Sequence, residues 1–154
     1  MKRVTARFSM TLLLVGFIAQ GSSLIAAFCV NTRSLVAGGY SGAICSMAEF
    51  TSGANSTVNG TLTAQAAVTL GANSKVNNFV DAGTAYTGGD GATVTGNVTA
   101  GTTYTSGANS VVWGDVIAAG DITLGAYSRI SGSAHSGTGV ITYGDGATVG
   151  SVLP

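Results

Sequence analysis

The sequence predicts an all-β, three-sided β-solenoid of about six 18-residue coils. A turn motif, Gly-Ala-x-Ser or Gly-Asp-Gly-Ala, recurs at this period, and such a period indicates stacked supersecondary units. The chain also contains 24 glycines and a single proline, Pro154, a glycine density that disfavours helices. The motif begins at Gly53, Gly71, Gly89, Gly107 and Gly125, and one residue late at Gly144.

Three short runs of alternating apolar residues fill each repeat, and this period of two is typical of strands. Glycine, asparagine and serine separate the runs and suit the corners of a coil. Three strands and three corners therefore predict a triangular coil. The apolar positions are Val58, Val76, Val94, Val112 and Ile130 in the first run, Leu62, Val80, Val98 and Val116 in the second, and Val68, Tyr86, Tyr104, Ile122 and Ile141 in the third.

The handedness of the coil is predicted from the same repeat. Eighteen residues equal three hexads, which would suit a left-handed hexapeptide-repeat solenoid. However, Gly88 and Ser106 occupy hexad positions where an aliphatic residue is expected, and Tyr86 and Tyr104 occupy positions where a small one is expected. We therefore favour a right-handed β-helix.

The N-terminal part of the chain predicts a targeting segment. Residues 1–27 combine a basic start, an apolar run and small residues near Ala26 and Ala27, as in a cleaved signal peptide. An uncleaved anchor is the alternative. We then expect an N-terminal cap at residues 28–34, the solenoid at 35–154, and a secreted protein, extracellular or periplasmic. Cys29 and Cys45 could form a disulfide between the cap and the first coil.

Catalytic chemistry is poorly represented. The chain has one histidine, His135, too few for a zinc centre built on several histidines, and we expect it to be an exposed residue near a corner. Asp81 and Asp115 are interpreted as solvated charges, and Trp113 as an outward aromatic residue. The repeat region is slightly acidic and lacks a basic stripe, which argues against nucleic acid. We therefore predict no catalytic residue, cofactor, metal site or small-molecule substrate.

A column of outward threonines follows the third apolar run. Such a plane of methyl and hydroxyl groups at fixed spacing could order water or match a repeating solid surface. The alternative is purely structural, because threonine has high β-propensity and stabilises neighbouring strands. The column consists of Thr51, Thr69, Thr87, Thr105, Thr123 and Thr142, and the residues two positions earlier are Glu49, Ala67, Ala85, Thr103, Asp121 and Val140.

Residues 106–149 contain the runs Gly114-Asp-Val-Ile-Ala118 and Ile122-Thr-Leu-Gly125. Through these runs, the segment resembles the ice-binding-like family of secreted microbial β-solenoids. The resemblance implies ice binding through a flat β-face and inhibition of ice growth or recrystallisation. The chain departs from that family because no helix is expected beside the solenoid after residue 30. A weaker resemblance, through the Gly-x-Val-x-Ala pattern, links the repeats to bactofilin-like solenoids, which polymerise.

These observations predict a secreted, monomeric, non-enzymatic solenoid that adsorbs to ice or another repeating surface. The alternative is a secreted or membrane-associated structural or adhesive solenoid that self-associates as a bactofilin-like polymer. The residues expected to bind ice are Thr51, Thr69, Thr87, Thr103, Thr105, Thr123 and Thr142.

Overall fold

The structure, a computed structural model, describes residues 34–35 and 38–154. These residues contain only strands and turns, arranged in stacked three-sided coils, so the predicted all-β solenoid is confirmed. The coil number is about seven rather than about six, because seven strands stack on the third face. The additional strand is formed by Ser34 and Leu35, and Ser34 pairs with Thr51.

The strands fall on three faces, which we number in the order of the apolar runs. The third face carries β1 (Ser34–Leu35), β4 (Phe50–Ser52), β7 (Val68–Leu70), β10 (Tyr86–Gly88), β13 (Tyr104–Ser106), β16 (Ile122–Leu124) and β18 (Ile141–Tyr143). The first face carries β2 (Gly39–Ser41), β5 (Thr57–Asn59), β8 (Lys75–Val76), β11 (Thr93–Val94) and β14 (Val111–Val112). The second face carries β3 (Ile44–Ser46), β6 (Leu62–Ala64), β9 (Val80–Ala82), β12 (Val98–Ala100) and β15 (Val116–Ala118).

Two longer strands run across the corner between the first and second faces. They are β17 (Arg129–Ser136) and β19 (Thr148–Leu153). The first part of β17 pairs with β14 and its second part pairs with β15, which joins the two faces into one sheet. The third face forms a separate seven-stranded sheet, and all pairings in both sheets are parallel.

The register follows the sequence repeat. Val76 pairs with Val58, and Tyr104 pairs with Tyr86, each partner lying one 18-residue repeat away. The extra residue before Gly144 is absorbed locally. Ile141 pairs with Ile122, one residue out of step, and a β-bulge between Ile130 and Ser133 then restores the original spacing.

The core consists of the inward columns of the three faces. Val58, Val76 and Leu62 are fully buried, as the alternation predicted, and the same holds for their equivalents through the middle coils. Tyr86 and Tyr104 lie inside this core and stack on each other. Because each coil contributes few apolar side chains, stability depends on the coils above and below it.

The corner after the third face has a left-handed residue in each coil. Asn55, Asn73 and Asn109 adopt φ values of 58°, 55° and 56°, and Gly91 replaces asparagine with φ 67°. Asparagine and glycine tolerate this conformation, whereas Tyr127, with φ 57°, is a bulky exception. In the asparagine corners the next residue is a buried serine, and its hydroxyl donates a hydrogen bond to a glycine carbonyl, as Ser110 Oγ does to Gly107 O at 2.8 Å.

Candidate functional site: the threonine face

The outward surface of the third face carries the predicted threonine column. Thr69 pairs in register with Thr51 on one side and with Thr87 on the other. The column continues through Thr105 and Thr123 to Thr142, again strand to strand. These pairings place the six threonines at the same position of successive strands in one sheet. We call this outward surface, together with the companion column described next, the threonine face.

A companion column lies two residues before each threonine. The N–H of Phe50 donates to the carbonyl of Ala67 at 2.8 Å, and the N–H of Val68 donates to the carbonyl of Ala85 at 2.9 Å. In the same way, the backbone carbonyl of Thr103 accepts a hydrogen bond from the N–H of Tyr86 at 2.9 Å. The sheet hydrogen bonding therefore extends through the companion column and holds both columns in one regular surface.

Small residues keep this surface flat in its middle coils. The companions of Thr69 and Thr87 are Ala67 and Ala85, and the companion of Thr105 is Thr103. On the other side of the threonine column, the next outward position is a corner glycine such as Gly71. A Cβ at Gly71 would lie 2.6 Å from the backbone nitrogen of Ala54, so only glycine fits there without displacing the preceding coil.

In the part of the chain that the structure describes, the hydroxyl groups of the threonine column have no hydrogen-bond partner. Within residues 34–35 and 38–154, none of the six threonines forms a side-chain hydrogen bond. Thr69 is half-buried, and the other five are exposed. By contrast, Thr138 at a corner donates its hydroxyl to the carbonyl of Ala119 at 3.0 Å. The column therefore presents unpaired donors and acceptors to the solvent.

Charges lie at the margins of the threonine face. Glu49 and Asp121 occupy the companion column on either side of the uncharged middle coils. The carboxylate of Asp121 accepts a hydrogen bond from the N–H of Val140 at 2.9 Å, which fixes it against the following coil. Lys75 and Arg129 both lie on the first face instead. The middle of the threonine face is thus a neutral surface.

The other two faces carry interrupted sets of threonine. On the second face, Thr63 and Thr99 share a column with Asp81 and Ile117. On the first face, Thr93 lies in a column with Lys75 and Val111. This column was not recognised from the sequence, although its residues recur every 18 positions, each directly before an apolar residue of the first run. Only the third face has threonine in every described coil from Thr51 onward.

The candidates considered for catalysis do not converge on one point. His135 is half-buried rather than exposed, because its column neighbours are Ile117 and Leu153. The carboxylate of Asp115 was predicted to be a solvated charge, but it is held in place by hydrogen bonds from Ser133. The carboxylate accepts hydrogen bonds from the backbone N–H and the hydroxyl of Ser133, at 2.7 and 2.8 Å, and these bonds lower the pKa of Asp115.

Metal ligands are not clustered in the described part of the chain. No group of three or more histidine, cysteine, aspartate or glutamate residues lies close enough there to hold an ion. Trp113 points outward as predicted and is 57% exposed. The guanidinium of Arg129 lies 5.9 Å from the centroid of its indole ring, an ordinary cation–π contact between adjacent coils.

Two expectations concern residues near or before the first coil. Cys45 is disulfide-bonded, but Cys29 lies outside the described residues, so the pairing between them stays a prediction. The targeting segment at residues 1–27 and most of the cap at 28–34 also lie outside. Among residues 34–35 and 38–154 there is no helix of the length and hydropathy needed to cross a membrane.

No family model, curated protein or solved structure matches this chain. The fold and the face nonetheless define a class. This is a β-solenoid repeat protein in which a threonine recurs in each described coil of the third face from Thr51 onward.

Proposed function

We propose that the protein binds ice through the threonine face and inhibits ice growth or recrystallisation. One observation carries the proposal. The six threonine hydroxyls form an in-register column on a single sheet, and within the described residues the protein uses none of them in its own hydrogen bonds.

The geometry of the face suits a repeating solid. Successive threonines are separated by the strand spacing of about 4.8 Å, and the companion column lies two residues, roughly 6.6 Å, away. Because the strands of a stacked solenoid hold these spacings over many coils, water on the face meets a rigid two-dimensional array. The array alternates methyl groups, which repel water, with hydroxyl groups, which bind it. Adsorption of this kind needs a plane rather than a pocket.

The middle coils are the best candidates for the contact. Ala67, Ala85 and Thr103 complete the plane beside Thr69, Thr87 and Thr105 without adding charge or bulk. The resemblance of residues 106–149 to the ice-binding-like family supports the same proposal. Its direct test is the thermal hysteresis and recrystallisation inhibition of the purified protein. Absence of both activities would refute ice binding.

A second candidate function is a structural or adhesive solenoid. The observation that favours it is the regular parallel stacking of the coils, in which equivalent strands pair one repeat apart. The same stacking between chains would extend the rod. Filaments that lengthen with protein concentration, seen by electron microscopy, would support a bactofilin-like polymer and would leave the threonine column with a stabilising role only.

A further inference from the structure

We infer that the first face of the solenoid binds an acidic polysaccharide, a chain of pyranose sugars that carry carboxylate groups. This binding is separate from ice binding, because it uses a different face of the rod. The two basic side chains found among residues 34–35 and 38–154 are Lys75 and Arg129. Both lie in one outward column of the first face, with Thr93 and Val111 between them. Three coils, about 14 Å at the usual strand spacing, separate the two charges.

Neither of these cations is paired within the protein. Lys75 and Arg129 are both exposed, and in the described part of the chain neither side chain forms an ion pair or a hydrogen bond. The reason is that the carboxylates lie elsewhere. Glu49 and Asp121 flank the threonine column on the third face, and Asp81 lies on the second face. The charges of the described solenoid are therefore segregated by face instead of being paired.

The remaining three carboxylates lie at corners. Asp90 accepts a hydrogen bond from the N–H of Ala108 at 2.8 Å, and Asp115 accepts from Ser133, so each is directed at the following coil. Asp145 lies at the corner before the last strand. The outward strand positions of the first face thus carry positive charge alone, and an anionic ligand is the complement to such a surface.

An exposed aromatic ring lies beside one of the two cations. Arg129 pairs with Val111, and Trp113 follows Val111 by two residues on the same face. Trp113 is 57% exposed. The guanidinium of Arg129 lies 5.9 Å from the centroid of the indole ring, and this cation–π contact holds the charge next to the ring. Because no group of the described residues occupies the N–H donors of the guanidinium, they remain available to a ligand.

A second exposed aromatic residue borders the same place. Tyr127 precedes Arg129 by two residues and is 68% exposed. Its φ is 57°, at a corner position that holds Asn109 in the preceding coil and Gly146 in the following one. A left-handed backbone is unfavourable for a bulky residue, and such conformations are concentrated at binding sites. The first face therefore presents an indole, a guanidinium and a phenol close together.

These groups match the two chemical features of an acidic sugar. The C–H bonds of a pyranose ring give it an apolar side, which packs flat on an exposed aromatic ring such as that of Trp113. A carboxylate on the sugar accepts paired N–H groups from the guanidinium of Arg129. A polymer repeats both features, so one chain laid along the column reaches Arg129 and Lys75 together, and the two contacts reinforce each other.

A nucleic acid also combines rings with negative charge, but it fits this face less well. Its backbone carries one charge per nucleotide, and affinity for it comes from many basic contacts. The described first face supplies only Lys75 and Arg129. The aromatic ring beside a single guanidinium suits a sparsely placed carboxylate better than a continuous row of phosphates.

The charge contact is tested by isothermal titration calorimetry of the purified protein with polygalacturonate, a soluble polymer of carboxylated pyranose units. We expect Arg129→Gln to raise the dissociation constant about tenfold, because it removes charge-assisted hydrogen bonds. Gln65→Glu is the matched control. It lowers the net charge by the same amount at an exposed corner between the second and third faces, and salt screens so distant a charge. Absence of binding, or equal weakening by both variants, would overturn the inference.

The aromatic contact is tested in the same assay with Trp113→Ala. We expect the dissociation constant to rise by about threefold to tenfold, since the sugar loses the ring on which it packs. Ile117→Ala is the control, because Ile117 is 47% exposed in the same coil but lies on the second face. Unchanged affinity in Trp113→Ala would show that the indole does not contact the polymer and would refute the proposed site.

A third measurement needs no substitution. Trp113 is the single tryptophan of the chain, so its fluorescence reports directly on this site. Polygalacturonate should shift the emission to shorter wavelength in a saturable manner, because the packed sugar excludes water from the indole. Dextran, which has no carboxylate, should cause no saturable shift. An equal response to dextran, or tighter binding of single-stranded polythymidylate than of polygalacturonate, would contradict recognition of an acidic polysaccharide.

Discussion

The rings of Tyr86 and Tyr104 stack in the core with centroids 5.0 Å apart and planes 6° from parallel. Each tyrosine directly precedes a threonine of the outward column, so the stacked pair lies behind Thr87 and Thr105. Offset or parallel stacking of aromatic rings adds to the stability gained from burial. The middle of the threonine face is therefore supported from inside by two flat, closely packed side chains.

Alkaline pH is expected to destabilise the solenoid through this pair. Burial raises the pKa of both phenols above the ordinary value of 10.0, and the neighbouring Tyr104 adds to the shift at Tyr86. The folded state therefore keeps protons that the unfolded state releases. This contribution to the free energy of unfolding is complete below about pH 10 and is lost as pH rises beyond it. Denaturant unfolding at a series of pH values measures the decline.

The matched control for this prediction is the double variant Tyr86→Phe/Tyr104→Phe. It keeps two stacked rings but has no phenol to titrate. At neutral pH, the free energy of unfolding should fall by about 1 kcal/mol for each removed hydroxyl that makes a hydrogen bond in the folded protein. Above pH 10 it should decline less steeply than the unmodified protein. Equal slopes would mean that the buried tyrosines do not cause the loss.

The corner glycine Gly71 is expected to be needed for coil stacking. A Cβ there would lie 2.6 Å from the Ala54 nitrogen and the Gly53 carbonyl carbon, and backbone atoms of a stacked coil cannot move aside independently. We predict that Gly71→Ala lowers the free energy of unfolding by about 1–3 kcal/mol. Gly39→Ala is the control, since nothing lies within 4 Å of a Cβ at Gly39, and it should change stability by less than about 0.5 kcal/mol. Similar losses in both variants would argue against the tight contact.

The charge of Asp121 is expected to limit adsorption to ice. A carboxylate at the margin of the plane must lose part of its hydration when the face meets a solid, which is unfavourable. Asp121→Asn removes the charge but keeps an oxygen that can accept from the N–H of Val140. We predict stronger recrystallisation inhibition, with a stability loss of about 1 kcal/mol or less. Asp81→Asn, on the second face, should leave the activity unchanged, and a gain in both variants would point to net charge as the cause.

The sequence was informative where the repeat is regular. The 18-residue spacing predicted which residues share a column, and the alternation predicted their inward or outward direction. Thr69 and Thr87 were placed correctly for both reasons. The coil before Gly53 keeps the same spacing, since Ile44 and Phe50 pair with Leu62 and Val68, one 18-residue repeat away. These features depend on local periodicity, which a single sequence contains.

Other features depend on contacts between coils and were not predictable in the same way. The late Gly144 indicated one extra residue, but the position of the compensating β-bulge between Ile130 and Ser133 depends on how β19 meets β17. The hydrogen bond from the N–H of Ser133 to the Asp115 carboxylate recurs one repeat earlier, where the side-chain oxygen of Asn97 accepts from the N–H of Asp115. The residue type changes at this position from coil to coil, so the repeat of residue types did not reveal the bond. Tyr127 has a left-handed backbone because stacking imposes the corner geometry on it, against its own preference.

The most direct test of the threonine face compares Thr105→Tyr with Thr99→Tyr. Both threonines are exposed and lie in the middle of three-residue strands of the same region, but Thr105 is in the column of the third face and Thr99 is on the second. A tyrosine at residue 105 would project from the plane and hold a flat solid away, while the fold remains intact. We predict that thermal hysteresis is lost in Thr105→Tyr and retained in Thr99→Tyr, with unchanged unfolding midpoints. Full activity in Thr105→Tyr, or equal loss in both variants, would contradict ice binding through this face.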